Sequence, residues 1–436
     1  MNIIKNDQKF EYLKSKPRYE VLDGLRGVAA LIVVIFHFFE IYSVDPAHQI
    51  VNHGYLAIEF FYVLSGFVIG YAYDDRWDKM SLWDFYKRRL IRLHPMVIAG
   101  TLFGVCYYFL SECLVCPNIQ EIKPYVFFLT ILMNFLMIPC PKNLDVRGWG
   151  ETNGFNGPNW TLTYEYIANI LYSLIFRRFH YIVIAICMII SSLLTLNLTL
   201  NFDVFNVFVD REPKKHSVIG GWELSSGEIC IGFTRLFYPF FAGYLIFRLN
   251  LKIKIKNSFI ICSILLAVSL CCPRLGEEYY VNGIYETILI IFIFPIIVMI
   301  GAGDMGTSDM MKKICKIFGE MSYPLYISHY PVIYCNFCWA EFHKDDSLFN
   351  KIGVSIGSFI IILYNTYSII KLYDQPIRKY LTEKYLKKPK KKLEANDDNI
   401  DNIKIDENKE EKDENKLVNE TSMEQDESKR ISLLKS

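Results

Sequence analysis

The segment YEVLDGLRGVAALIVVIFHFF holds two ionisable side chains, Arg26 and His37, inside a run that is mostly apolar. A neutral imidazole can take the proton of an attacking hydroxyl near neutral pH, which makes His37 a candidate general base. It could also accept an acyl group itself and pass it on. At about 100° per residue, the eleven-residue spacing returns to nearly the same helix face, about 16 Å further along the axis. Arg26, Ala30, Val33 and His37 thus form one stripe, with Arg26 at its polar mouth and His37 deep. A histidine capped by a carbonyl and an arginine reaching toward lipid phosphate would give the same pattern.

A second chemistry is anion binding. The stretch WDFYKRRLIRLHP crowds Lys87, Arg88, Arg89 and Arg92 together, with Arg88 and Arg92 one helical turn apart. Guanidinium forks suit phosphates; the same residues also serve as a plain topology signal. Glu59, Glu165, Arg235, Glu286 and His329 are further ionisable groups in apolar stretches, where such groups are costly and so become functional candidates. In NWTLTYE, Glu165 is either a buried carboxyl bonded to a histidine or an anion favoured by the start of a helix. Asn159-Trp160-Thr161 is a formal glycosylation sequon too close to an apolar run for use. In GEMSYPLYISHYPV, Ser322, Tyr326 and His329 fall at i, i+4 and i+7 on one polar stripe. Asp374 to Arg378 end the last apolar segment as a cytoplasmic lock, with Pro376 expected to stop the helix.

These residues need elements to hold them, and the elements are apolar blocks. Hydrophobic residues make up 52% of the 436. They gather at 25–42, 55–73, 93–112, 124–139, 160–176, 180–199, 229–248, 257–272, 284–302, 321–341 and 349–372. Blocks of about twenty residues cross a bilayer core of about 30 Å. An all-α polytopic transmembrane bundle in the lipid bilayer is expected. The net charge of +1 offers no field for nucleic acid. Residues 1–20 are polar and basic, so the first block reads as a retained span and not a cleaved signal. Basic residues then place both termini and the 74–92, 248–256 and 303–319 stretches in the cytoplasm. Those sides agree only with ten crossings. One segment must turn back, and 124–139, short and carrying Asn134, is expected to be re-entrant. The expected organisation is a cytoplasmic segment 1–20, a membrane domain 21–381 and a disordered charged cytoplasmic tail 382–436. A single C-x-x-C without histidines gives no reason to expect a metal site. A disulfide among Cys113, Cys116, Cys140, Cys271 and Cys272 fits segment ends placed on one side.

The motifs together resemble the acyltransferase-three family of integral membrane O-acyltransferases. Asp23-Gly24-Leu25-Arg26-Gly27 with His37 resembles its opening, and Gly54 to Phe67 its second-span signature. Arg89 and Arg92, Trp160 to Glu165, Arg235 with Gly243, Ser322 to His329, and Asp374 to Arg378 follow in family order, the last with Asp in place of Glu. The resemblance spans about residues 20–380. It implies a cytoplasmic acyl-CoA donor, usually acetyl-CoA, and a hydroxyl acceptor on a carbohydrate or glycan. It makes His37, Arg26 and Glu165 catalytic candidates and places the donor on Lys87, Arg88, Arg89 and Arg92. Trp160, Arg235, Tyr326 and His329 become candidates for substrate contact. The 200–228 loop matches no part of the family pattern, and no esterase-like domain is expected. The rival reading is a multi-span transporter whose intramembrane charges relay protons; it would need neither the basic cluster nor a deep histidine in line with it.

Overall fold

The computed structural model describes residues 16–43, 48–111, 113, 116, 119, 121–208, 211, 214–274 and 280–386. The charged stretch 387–436 and residues 1–15 lie outside it. All regular structure among the described residues is helical. Serine side chains start several helices by accepting the N–H three residues on, as Ser81 does from Asp84 at 3.1 Å and Ser225 from Glu228 at 3.3 Å.

The elements run α1 (Glu20–Glu40), α2 (Ala57–Tyr73), α3 (Leu82–Tyr108), α4 (Pro124–Phe135), α5 (Asn159–Leu174), α6 (Tyr181–Thr199) and α7 (Ser226–Arg248). Then follow α8 (Ser258–Cys271), α9 (Tyr280–Ile288), α10 (Phe294–Ala302), α11 (Asp309–Ser328), α12 (Tyr330–Phe342), α13 (Leu348–Ser368) and α14 (Gln375–Tyr385). One π-turn, Leu289–Ile293, joins α9 to α10; another, Ile369–Asp374, joins α13 to α14. Pro376 does not stop the helix as expected: it sits in the first turn of α14, where its missing N–H costs no bond, and the helix runs on to Tyr385.

Among the described residues, seven helical runs are long and apolar enough to cross a membrane: Glu20–Glu40, His53–Tyr73, Leu82–Ser111, Tyr181–Thr199, Ser226–Arg248, Tyr280–Ala302 and Leu348–Tyr385. Their outer faces carry Ile186, Ile190 and Leu193 on α6 and Ile352, Ile356 and Ile360 on α13, all exposed. Apolar belts of that kind need lipid as their solvent. The chain is an integral membrane protein.

Packing is close where small residues meet. A Cβ on Gly66 of α2 would lie 2.0 Å from the Phe240 carbonyl oxygen of α7, and one on Gly243 of α7 would lie 1.9 Å from that of Val63. Each glycine admits the other helix's backbone, the usual device of helices packed in lipid. Beside this contact, Arg235 bonds both oxygens of Glu59, at 2.5 and 3.2 Å.

α11 and α12 form one run broken at His329. Pro331 has no N–H to give the Ile327 carbonyl. The Asn156 side chain donates to that carbonyl instead, at 2.7 Å, and so pins the segment ahead of α5 to the break.

Two long connections fold over the end of the bundle opposite the basic loop. In the first, Asp145 accepts from the N–H groups of Arg147, Gly148 and Gly150 at 2.7–2.9 Å. In the second, Arg211 donates to the carbonyls of Ser217 and Ile219, and Glu286 accepts from the Val218 N–H at 2.8 Å. The Thr152 N–H donates to the Trp222 carbonyl at 2.9 Å, joining the two into one cap. A disulfide, Cys113–Cys338, ties the segment after α3 to α12. Only one of its cysteines belonged to the expected set, and Cys116, Cys140, Cys271 and Cys272 are free thiols. Its partner lies 225 residues away and within an apparent span, so spacing could not reveal it. The Cys116 sulfur lies within 4.8 Å of both disulfide sulfurs.

Candidate functional site

His37 sits on the last turn of α1, one turn before Glu40, and its Nδ1 lies 2.6 Å from Glu40 Oε2. A carboxylate only accepts, so Nδ1 carries the hydrogen and Nε2 presents its lone pair. The ring stacks on His329 with centroids 5.3 Å apart and meets Tyr330 edge-on at 4.8 Å. His329 is fully buried. Its Nδ1 donates to the Leu325 carbonyl at 3.2 Å, and its Nε2 has no partner among the described residues. The break between α11 and α12 sets this ring inward. Tyr326, one turn earlier, shares a hydrogen bond of 3.0 Å with the Thr161 hydroxyl, and Tyr62 donates to the Thr161 carbonyl at 2.9 Å. Helices α1, α2, α5 and α11 thus converge on two imidazoles, neither of which has an Nε2 partner among the described residues.

Glu151 and Tyr334 lie toward the cap. Glu151 is buried and accepts from the Tyr334 hydroxyl, which in turn accepts from the Gly157 N–H at 3.1 Å. Burial pushes the Glu151 carboxyl up to about 8; Tyr334 and Arg147 pull the other way, while Asp145 and Glu40 add to the rise. The Arg147 guanidinium, also buried, lies 3.6 Å over the Tyr334 ring. Half-buried Trp149 meets Tyr334 and Phe337, each at 5.3 Å.

At the other end of the α1 stripe is a cavity of about 240 Å³, lined by Arg76, Arg88, Arg92 and Arg378 along with Tyr73 and Thr382. Four arginines around one space, Arg378 among them paired with Asp374, favour an anion there. Arg378 arrives on α14, just past the π-turn, and pairs with Asp374. Arg26 bonds Asp23 at 3.3 Å and, with Arg89, adds positive potential at Arg92.

The sequence-predicted residues divide accordingly. His37, His329 and Tyr326 come together. Arg88 and Arg92 share the cavity, while Arg26 and Arg89 stand near Arg92. Lys87 does not line the cavity: it pairs with Asp84 at 3.4 Å, over the Trp83 ring. Glu165 does not reach His37. It accepts from Arg89 at 2.9 Å and from Ser65 at 3.4 Å, because its face of α5 looks onto α3 and α2. The partner offered to the His37 ring is Glu40, which lies in the sequence one turn further on. Every nitrogen of Arg235 is engaged, by Glu59, the Gly220 carbonyl and the Tyr55 carbonyl. Trp160 covers that guanidinium at 5.2 Å and is 6% exposed, which leaves it no open face. Arg76, Glu151, Arg147 and Tyr334 escaped the sequence reading. Arg76, Arg147 and Glu151 lie between apolar segments, where charges are ordinary, and Tyr334 lies inside one, where an aromatic residue is ordinary.

Comparison with known proteins fits this geometry. Residues 19–369 match the family model described as "Acyltransferase domain". "O-acetyltransferase OatA" of Staphylococcus aureus is 24% identical over 336 residues, covering 73% of this chain and 51% of that protein. The chain thus spans about half the length of that relative. "Protein 2 in picA locus" of Rhizobium radiobacter is 29% identical over 163 residues, 36% of this chain and 81% of that protein. "Acyltransferase MdmB" of Streptomyces mycarofaciens is 29% identical over 167 residues, 37% of this chain and 40% of that protein. No solved structure matches significantly. With the family model covering most of the membrane bundle and both histidines, the chain belongs to the acyltransferase-three family of membrane proteins.

Proposed function

We propose that the protein moves an acyl group, acetyl in the simplest case, from acyl-CoA to a hydroxyl of a carbohydrate or glycan acceptor. The observation that carries this reading is the half-buried His37 imidazole on the last turn of α1, with no Nε2 partner among the described residues, on the same face of α1 as an arginine near a four-arginine cavity. Coenzyme A is a ligand of matching chemistry. Its phosphates suit Arg76, Arg88, Arg92 and Arg378, and on this reading its acyl end must reach His37, about 16 Å along α1 from Arg26. The acceptor hydroxyl gives its proton to His37 Nε2 as its oxygen attacks the thioester carbonyl. The tetrahedral carbon then expels the thiolate, and the imidazolium returns the proton to sulfur. The orphaned Nε2 of His329 accepts a hydrogen bond from a substrate N–H or O–H; a buried acceptor left unmade is costly. The names of the Staphylococcus and Streptomyces relatives point to the same reaction class.

The proposed orientation puts the arginine cavity and both termini in the cytoplasm of a cell-membrane protein, with ten crossings. α4 supports that count. Its 12 residues make about 18 Å of helix. Thr130 and Asn134 both bond the following 140–155 stretch, so the segment stays at the cap. A proton-relaying transporter finds less support, since Glu59 with Arg235 and Glu165 with Arg89 are paired charges with no open chain between them.

Arg92→Ala and Arg88→Ala test the donor assignment. Each is expected to raise the KM for acetyl-CoA about tenfold or more and to make binding more sensitive to salt. Unchanged CoA binding at low and high salt in both variants would remove the donor from this cavity.

A further inference from the structure

We infer that Glu40 is the positioning residue that makes His37 a base, fixing its tautomer from within the same helix. The inference rests on the acyl-transfer reading of His37. Glu40 is the one carboxylate within hydrogen-bond reach of the His37 ring among the described residues, at 2.6 Å. The i,i+3 spacing on α1 means that the two side chains meet over one turn without help from a second helix. The two other carboxylates that could have served are committed elsewhere: Glu165 to Arg89 and Ser65, and Glu151 to Tyr334. The ring is held from other sides as well, with His329 stacked on one face and Tyr330 edge-on. What those contacts cannot decide is which nitrogen carries the hydrogen. An acceptor-only carboxylate at Nδ1 decides it and leaves Nε2 free for the acceptor hydroxyl. A carboxylate holding an imidazole this way also stabilises the imidazolium formed when the proton arrives, as the buried acid of a catalytic triad does. No atom of Glu40 needs to touch the substrate.

Glu40→Gln is the discriminating change. The amide is close to the carboxylate in size but can donate to Nδ1, which favours the tautomer with hydrogen on Nε2 and removes the base. The expected result is a fall in kcat of about 10²–10⁴-fold, with the KM for acetyl-CoA within about twofold of wild type, since the arginine cavity lies at the far end of the stripe. Glu40→Asp should recover part of the lost kcat. In protein labelled with ¹⁵N-histidine, the His37 hydrogen should move from Nδ1 to Nε2 in the Gln variant. Loss of a surface ion pair alone would move neither kcat nor the tautomer. If Glu40→Gln turns over at the wild-type rate while His37→Ala is inactive, the positioning role is overturned and the acyl-transfer reading stands. If folded His37→Ala keeps full transfer, both fall together.

Discussion

Removing one partner of a buried ion pair strands the other charge, and Arg235–Glu59 is such a pair, with side chains 1% and 0% exposed. Arg235→Ala is expected to lower stability by about 3–5 kcal/mol, read as a large drop in the unfolding temperature of the detergent-solubilised protein. Any protein that remains folded should bind acetyl-CoA normally. A stable variant with a raised acceptor KM would instead return Arg235 to the substrate site, where its sequence motif first suggested it. At this scale the sequence shows which side chains are in the wrong solvent. It does not show their azimuth. His37, Arg26 and His329 stood out as ionisable groups in apolar runs. Glu40 did not, because a carboxylate at the end of such a run looks like ordinary flanking polarity. Glu165 was legible as an ionisable group in an apolar run, but whether its face of α5 met His37 or Arg89 depends on a helix rotation that no motif encodes.

Among the elements, the break between α11 and α12 and the 140–158 connection work together. The 321–341 block reads as one segment, so the break at His329 was not foreseen, nor was its partner Asn156, because the bond joins segments 171 residues apart. The same two elements meet again through Glu151 and Tyr334, and this joint should make stability depend on pH. Glu151 is raised by burial to about 8 in the folded protein, above its ordinary value of 4.5. The folded state therefore holds a proton that the unfolded state has lost between those values. The contribution is fully present below pH 4.5 and is lost as pH rises through about 8. Within that window it falls by up to about 1.4 kcal/mol per pH unit. Thermal unfolding of wild type and Glu151→Gln across pH 4.5–8 checks this, with the stability gap between them shifting in favour of the Gln variant as pH rises. Parallel curves would mean that the carboxyl is already ionised in the fold. The cap as a whole was the least legible part. Its order comes from side chains closing irregular backbone, such as Asp145 on three N–H groups, and such closure leaves no periodic signal.

For the whole molecule, apolar block length was enough to give an all-helical membrane bundle, and positive charge marked one end of it. The structure adds that this end holds a cavity of arginines, that the other is roofed by two interlocked loops, and that His37 lies between them on the stripe that starts at Arg26. On the proposed reading, a phosphate-bearing donor and a hydroxyl acceptor meet at this one imidazole. The most direct test of that claim is single-variant kinetics with labelled acetyl-CoA and purified protein, following thiol release and label transfer to a panel of membrane glycans. Wild type is expected to release CoA and label one acceptor class. Folded His37→Ala is expected to lose about 10²–10⁴-fold in kcat while still binding acetyl-CoA. Full transfer by His37→Ala, or wild-type protein that neither binds nor turns over any acyl-CoA, would contradict the account.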